Sequence, residues 1–242
     1  MNLETVNRKI SERPPLDFGT IFSASIELFK KVWVQGFIIL LLTFVTILPF
    51  YIMIYIPMIA AGITDPELLR SEELPPMVIV GMVILMPVFL VGVMTFGLAL
   101  NAAFMKICKQ NDGNASSNDD YFYFFKQGRL GKVFNLAVLM LGLGILGMLA
   151  CGIGIFYLLV PLSLIPAFLA FNEELSAMEI VKASFTLGNR NWLVIFGLVV
   201  VMGILAELGF ILCCIGILFT AMLGKVPAYY IYKDGVGFEK EI

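Results

Sequence analysis

The sequence contains no histidine and few charged residues, and both scarcities restrict what the protein can do. Of its 242 residues, 14% are charged and 60% are hydrophobic, whereas soluble domains average roughly 25% charged and 45–50% apolar residues. Without histidine, no Ser–His or Cys–His pair is available for nucleophilic catalysis. A Gly-x-x-x-x-Gly-Lys-Ser/Thr phosphate loop is also absent from the sequence. We therefore expect a protein that is not an enzyme and has no catalytic residues.

The four cysteines do not form a metal-binding or disulfide pattern. Cys108 lies among lysines, whereas Cys151, Cys213 and Cys214 lie in apolar surroundings, and no Cys-x-x-Cys spacing occurs. Zinc and haem sites need histidines or closely spaced cysteines, so we expect no metal and no cofactor. The basic residues are thinly spread along the chain, which gives no support to nucleic-acid binding.

The chain contains long apolar runs with few charged residues, and these runs indicate an integral membrane protein. The run from Val133 to Phe171 would make one helix of about 58 Å, nearly twice the roughly 30 Å hydrocarbon core, so it must break. The best break is Cys151-Gly152-Ile153-Gly154, and the run after Trp192 needs a similar break near 209–216. Six spans are predicted at about 32–60, 77–105, 133–150, 154–171, 192–209 and 213–232.

A short amphipathic segment precedes each pair of spans. These segments cover about 17–31, 119–128 and 175–187, and each is followed by a basic aromatic stretch such as Lys30-Lys31-Val32-Trp33. Helices with one apolar face lie in the membrane interface, where aromatic rings sit at headgroup level. The predicted lipid contacts are Phe18, Phe22, Phe29, Trp33, Tyr121, Phe122, Phe125 and Trp192.

Two apolar stretches resemble each other and suggest duplication. Cys151-Gly152-Ile153-Gly154-Ile155 matches Cys213-Cys214-Ile215-Gly216-Ile217, and Ile165-Pro166-Ala167-Phe168 matches Val226-Pro227-Ala228-Tyr229. Coincidence within low-complexity apolar sequence is the alternative explanation. The predicted fold is therefore an all-α integral membrane protein with six transmembrane helices in three hairpins, each preceded by an amphipathic interfacial helix. A single membrane domain would cover residues 17–232.

The basic residues predict the orientation of these spans. In the six-span arrangement, all lysines and arginines except Arg70 and Lys225 fall on one side, and that side is expected to be cytoplasmic. Residues 1–16 are predicted to be a flexible cytoplasmic tail, and residues 233–242 a second cytoplasmic tail. The acidic connection 62–76 would lie outside.

Glu207 and Lys225 are the only charged residues inside the predicted spans. A charge at the centre of a span costs roughly 2.5–3.5 kcal/mol on insertion scales, so each requires a reason. Glu207 could reach the outer interface while Lys225 extends its alkyl stem inward. Alternatively, the two residues form a structural ion pair or mark polar points on a transport path. These alternatives remain open at the level of sequence.

A resemblance to known proteins is carried by three short stretches near the middle of the chain. They are Ile165-Pro166-Ala167-Phe168, the helix-forming run from Leu175 to Phe185, and Asn191-Trp192. This pattern resembles uncharacterised bacterial six-helix membrane proteins and the membrane region sometimes fused to glycerophosphodiester phosphodiesterases. The chain departs from the pattern at Ile180 and lacks the phosphodiesterase domain with its histidine. The resemblance implies a bacterial inner-membrane protein, and no catalytic residue carries over.

Two functions are compatible with these features. The first is a non-enzymatic membrane protein that organises lipids or partner proteins, because three amphipathic segments face one side and catalytic groups are lacking. The second is a transporter or channel for a small solute or lipid, with Glu207 and Lys225 on its path. The expected partners are membrane lipids, with other proteins or further copies of the chain as additional candidates.

Overall fold

A computed structural model describes residues 1–61, 75–113, 119–126, 128–150, 152–212 and 216–238. Among these residues the protein is helical, without strands. The acidic connection predicted at 62–76 lies almost entirely outside the described residues. The helices are α1 (Leu3–Glu12), α2 (Phe18–Ala60), α3 (Pro76–Asp112), α4 (Arg129–Leu149), α5 (Ile153–Phe171), α6 (Ala177–Arg190), α7 (Trp192–Leu212), α8 (Ile217–Thr220) and α9 (Val226–Gly235).

Five of these helices, α2, α3, α4, α5 and α7, are long and apolar enough to cross a membrane. The remaining predicted span, 213–232, is not one continuous helix. It consists of α8, a 3₁₀ turn at Ala221–Lys225 and then α9. Gly224 and Pro227 lie on either side of Lys225, and residues of these two types weaken or interrupt a regular α-helix. This break replaces the uniform sixth helix that the apolar run predicts.

The first predicted interfacial helix is not separate from the first span. Residues 17–31 continue directly into α2, a single helix of 43 residues or about 64 Å. Asp17 caps its first turn by accepting a hydrogen bond from the Thr20 amide at 2.7 Å. The buried stripe of Leu28, Val32 and Gly36 crosses the expected boundary without interruption. Because the same helix face packs against protein on both sides of this boundary, nothing separates two helices there.

The prediction of a second interfacial helix at 119–128 is also wrong. The segment forms turns and a short 3₁₀ helix at Tyr123–Phe125, and it ends at Gly128 with a φ of +72°. This left-handed conformation favours glycine and cannot continue a right-handed helix. At the third predicted position α6 is a separate helix, which begins with a complete capping box between Ser176 and Glu179. Its location in the membrane interface stays a prediction.

The predicted helix breaks occur where glycines allow close approach. Helix α4 ends at Leu149 and α5 begins at Ile153, next to Gly152 with a φ of +77°. A Cβ atom on Gly154 would lie 2.9 Å from the Gly147 Cα and carbonyl oxygen. Helix α7 likewise ends at Leu212, within the predicted break at 209–216. The cysteines of the repeated motif, at 151, 213 and 214, lie outside the described residues.

The main packed core lies towards one end of the bundle. It contains the second half of α3 from Leu98, the later part of α5, the buried face of α6, and α9. Helix α1 belongs to this core, because Val6 and Ile10 are buried. The flexible tail predicted for residues 1–16 is therefore a folded helix over most of its length, since apolar residues four positions apart on one face have a surface to cover.

The opposite end carries a broad exposed apolar surface. It includes residues of the second half of α2, such as Val45 and Ile52, and of the first half of α3, such as Val83. The C-terminal end of α4 and the start of α5 are similarly exposed, as at Leu149 and Ile153. Apolar surface of this extent is unfavourable in water and suits contact with lipid.

Candidate intramembrane site

Three cavities differ in the polarity of their walls, and a further one of about 440 Å³, between α4 and the start of α6, has no charged residue among the described residues of its wall. The first of the three, of about 650 Å³, lies between α2, α3 and the start of α4. Its lining is apolar apart from Thr95, whose hydroxyl donates to the Val91 carbonyl. A second cavity of about 600 Å³ contains charged groups that pair with each other, including Lys106 with Glu173. The third, which we call the Lys225 cavity, has a volume of about 270 Å³ and combines polar side chains with a charge.

Five parts of the fold meet at the Lys225 cavity. The walls come from α3, α4, α5, α7 and the junction between the 3₁₀ turn and α9. The lining residues are Met94, Gly97, Leu98, Asn101, Met140, Leu162, Ser163, Pro166, Val199, Gly224, Lys225, Pro227, Ala228 and Ile231. Only three of these side chains are polar, and Lys225 is the only charged one.

The irregular final segment places Lys225 in this wall. Lys225 ends the 3₁₀ turn and immediately precedes α9. Beside it, Gly224 lies against α7, where a Cβ on Gly224 would be in ordinary van der Waals contact with the Gly203 Cα at 3.7 Å. Within the described part of the chain, no residue forms an ion pair or hydrogen bond with the Lys225 ammonium group. Lysine in an apolar bundle without a carboxylate partner is a candidate functional group.

The cavity lies well inside the apolar part of the bundle. Val199 in its wall is about 10 Å along α7 from Trp192, at about 1.5 Å per residue. Ser163 is about 12 Å along α5 from Phe171, the last residue of that helix. Both estimates place this part of the cavity wall about a third of a hydrocarbon thickness beyond the polar end of the bundle. Lys225 lines the cavity and is itself exposed, so its side chain also reaches the surface of the bundle.

Two further polar side chains complete the site. The Asn101 side-chain amide donates to the Gly97 carbonyl at 2.8 Å, but the Asn101 Oδ1 atom is buried and meets no donor among the described residues. A buried acceptor without a donor costs about 1–3 kcal/mol. Ser163 donates its hydroxyl to the Val160 carbonyl at 2.7 Å, which leaves the oxygen lone pairs able to accept.

Glu207 does not belong to this site. It lies on α7, is exposed and is not in the cavity wall. No ion pair joins it to Lys225 in the described structure. Glu207 lies five residues before the end of α7 at Leu212. Of the two charged residues singled out from sequence, only Lys225 therefore remains a candidate.

The eight aromatic residues predicted to contact lipid divide into two groups. Phe18, Trp33 and Phe122 have 37%, 44% and 43% of their surface exposed and can face lipid directly. The other five are partly buried against protein: Phe22, Phe29, Tyr121, Phe125 and Trp192. Trp192, for example, stacks on Phe196 and donates its indole N–H to the Tyr157 carbonyl at 3.3 Å.

A charged cluster around Glu173 holds the polar end of the bundle together. Lys106 Nζ lies 2.5 Å from Glu173 Oε1, and the Tyr123 hydroxyl donates to the same oxygen. Arg129 Nε lies 3.5 Å from the other carboxylate oxygen. Lys132 donates to the Glu173 carbonyl at 2.5 Å. The cluster joins α3, the 3₁₀ helix, α4 and the end of α5, so the 119–128 segment is fixed by side chains rather than by helical hydrogen bonds.

This cluster also shifts the pKa values of Glu173 and Tyr123. Burial alone would raise the pKa of the Glu173 carboxyl, but the hydrogen bonds from Lys106 and Tyr123 and the nearby cations hold that pKa below its ordinary value. Burial and the bond to Glu173 raise the pKa of Tyr123 to about 12. The Tyr123 ring contacts Lys106 Nζ at 3.4 Å and the Arg129 guanidinium at 4.2 Å from its centre. Glu173 is therefore ionised and paired at neutral pH.

The other two polar residues of the cavity wall, Asn101 and Ser163, could not be recognised from the sequence. The Asn101 side chain bonds within its own helix, and one asparagine near a helix end does not indicate a cavity. Ser163 gave no signal, because one serine in a long apolar run resembles ordinary packing. The described residues also contain no group of three or more Cys, Asp or Glu side chains placed to hold a metal ion.

Comparison with known protein families, with curated proteins and with solved structures finds no match to this chain.

Proposed function

We propose that this chain is a non-enzymatic bacterial inner-membrane protein that binds a lipid-like ligand in the Lys225 cavity and thereby organises lipid around itself. The observation that carries this proposal is a lysine without a carboxylate partner in the wall of a cavity inside the apolar bundle. Binding sites in proteins are generally concave and apolar, with a few polar groups that orient the ligand. The Lys225 cavity fits that description. The exposed apolar surface of the bundle suits contact with surrounding lipid.

Six spans with both termini in the cytoplasm complete the proposed arrangement. Arg13 precedes α2, and its guanidinium donates to the carbonyls of Lys233 and Asp234 at 2.8 Å each. Residues before the first span and after the last therefore meet, which requires an even number of crossings. Five long helices and the broken final segment give six. The basic residues collected at this end favour the cytoplasmic side. The three-hairpin arrangement and the resemblance to six-helix bacterial membrane proteins remain part of this proposal.

Retention of a native ligand tests the proposed function. The full chain would be purified from a bacterial membrane in mild detergent and examined by native mass spectrometry. Wild type is expected to retain a ligand that Gly97→Leu loses. Gly97 lines the cavity, and a Cβ there meets nothing within 4 Å, so leucine can enter the cavity without a backbone clash. The matched control is Gly142→Leu, which also has open space at its Cβ but does not line the cavity.

Transport is a second candidate function, favoured by the break in the final segment at Lys225. Many transporters build their sites from discontinuous helices, and a 3₁₀ stretch inside a helix often marks a hinge. In proteoliposomes, a transporter would move a solute at a rate that Lys225→Met and Gly97→Leu both reduce. Flux that neither variant changes would exclude this cavity from the path, and ligand retention without flux would leave the binding function alone.

A further inference from the structure

We infer that the ligand of the Lys225 cavity carries an oxyanion, a carboxylate or a phosphate, and that Lys225 is its counter-charge. The inference rests on the proposed function and adds the chemical class of the ligand. Its basis is that Lys225, an exposed residue of the cavity wall, is the one charged residue that the described part of the chain places in that wall and has no carboxylate beside it there. An ammonium in apolar surroundings is stabilised only by an anion, by strong acceptors or by water.

The acidic residues of the elements around the cavity do not supply that anion. On α3, Asp112 accepts hydrogen bonds from Tyr229 and Tyr230 and pairs with Lys233 at the far end of the bundle. On α7, Glu207 is exposed and forms no pair with Lys225. Helices α4 and α5 contain no acidic residue. On α9, Asp234 lies nine positions beyond Lys225 (about 13 Å). The chain therefore leaves the Lys225 charge for a ligand.

The size and polarity of the cavity agree with one small charged group. A volume of about 270 Å³ accommodates several waters, each of about 30 Å³, or one carboxylate or phosphate group with part of a chain. Ser163 adds a hydroxyl and Asn101 an amide to the same wall. Lys225 is itself exposed, but most of the other lining residues are apolar, so an ion pair here has a poorly polarisable medium on its cavity side and is stronger than a fully solvated pair.

Lysine at this position also excludes two other ligand classes. A cationic ligand would be repelled by the ammonium group, and the cavity wall offers no carboxylate to compensate. A wholly apolar ligand would leave the ammonium unpaired and would gain nothing from it. Oxyanions come from two sources, membrane amphiphiles and soluble anions, and both present the same chemistry to Lys225.

Thermal unfolding of the full chain in the uncharged detergent dodecyl maltoside tests the inference. Oleate, methyl oleate and inorganic phosphate serve as probes. Oleate and methyl oleate share a hydrocarbon chain and differ in charge, so their comparison in wild type needs no variant. We expect oleate, phosphate or both to raise the melting temperature, and methyl oleate to have no effect. Stabilisation by oleate alone would identify a membrane amphiphile as the source, and stabilisation by phosphate alone a soluble anion.

Variants then assign the effect to Lys225. Lys225→Met should raise the half-saturating concentration of the effective anion by at least about tenfold, since losing one hydrogen bond between charged groups has effects of this size. Lys225→Arg should retain the response. Lys182→Met, on the exposed face of α6, removes the same charge outside the cavity and should respond like wild type.

Three results would overturn the inference. They are equal stabilisation by oleate and methyl oleate, a wild-type response in Lys225→Met, and no response of wild type to either anion. If Gly97→Leu still abolished ligand retention in any of these cases, the cavity would remain a binding site for an uncharged ligand. If Gly97→Leu also had no effect, the proposed function itself would fail.

Discussion

Individual glycines have different roles in this bundle, and their surroundings decide which. Gly154 faces the backbone of Gly147, and a Cβ there would lie 2.9 Å from its Cα and carbonyl oxygen. Gly144, which lies one turn before Gly147 on α4, faces open space. Both residues look alike in the sequence as glycines in an apolar run, where small residues often permit close helix packing. The close contact between α4 and α5 requires glycine at position 154 and not at position 144.

We predict that Gly154→Ala destabilises the protein by about 1–3 kcal/mol, the usual cost of overpacking against a group that cannot move aside. Gly144→Ala should be neutral or slightly stabilising, because alanine favours the helix and meets no neighbour. Unfolding in mixed micelles of dodecyl maltoside and sodium dodecyl sulfate measures both variants. Equal stability of the two would contradict the close contact at Gly154.

Glu173 joins several elements at the polar end of the bundle through its carboxylate. Its carboxylate accepts from Lys106 and Tyr123 and lies beside Arg129. The pKa of Glu173 in the folded protein lies below the ordinary value of 4.5. Its contribution to stability is therefore complete above about pH 4.5 and decreases as the pH falls through the lowered pKa.

The resulting prediction concerns the melting temperature as a function of pH. Glu173→Gln should melt below wild type at pH 7, and the difference should shrink as the pH falls below about 4.5. Tyr123→Phe removes one donor and should produce a smaller difference with the same pH trend. A difference between wild type and Glu173→Gln that stays constant from pH 7 to pH 3.5 would contradict an ionic role for Glu173.

At the scale of elements, the N-terminal segment is more ordered than its polar composition indicates. Helix α1 places Val6 and Ile10 in the main core. It is capped by Asn2, which accepts from the Thr5 amide at 2.9 Å. Arg190 donates to the Arg13 carbonyl at 2.6 Å and joins the following residues to α6. Amphipathicity was detectable in the sequence, but the surface that α1 covers is formed by distant residues.

Proteolysis gives a direct test of α1. Trypsin has sites at Arg8 and Lys9, and both should be protected in the folded wild type because α1 is helical and docked. Ile10→Ala should cost about 2–5 kcal/mol of local packing and make these bonds cleavable at low protease concentration. Glu12→Ala, at an exposed position of the same helix, is the control. Rapid cleavage of wild type would mean that this segment is an open tail.

At the scale of the whole molecule, the ends of several elements gather at one pole. Lys106 meets Glu173 and Lys233 meets Asp112. Tyr232 donates to the Asn172 side chain at 2.7 Å. These contacts join the ends of α3, α5 and α9, so these polar groups lie together at one pole of the described structure while the apolar surface lies at the other pole. A membrane is the environment that suits this separation.

The proposed topology predicts one-sided labelling. The native cysteines would be replaced by serine, and single cysteines introduced at Asn2, Asn189 or Lys240. All three should be shielded from a membrane-impermeant maleimide in intact cells and become reactive in inverted vesicles. A cysteine at Glu72 should show the opposite behaviour. Labelling of positions 2 and 240 from opposite sides would contradict an even number of spans.

The sequence by itself determined the membrane class, the number of long apolar runs and the places where they break. Helix length against bilayer thickness, together with glycine conformations, is enough for those conclusions. The merging of residues 17–31 into α2, the folding of α1, and the location of Lys225 away from Glu207 were decided only in three dimensions. Each depends on which surfaces meet, and residues distant in the chain supply those surfaces. Lys225 became a candidate site because Asn101 and Ser163 reach the same cavity from two other helices.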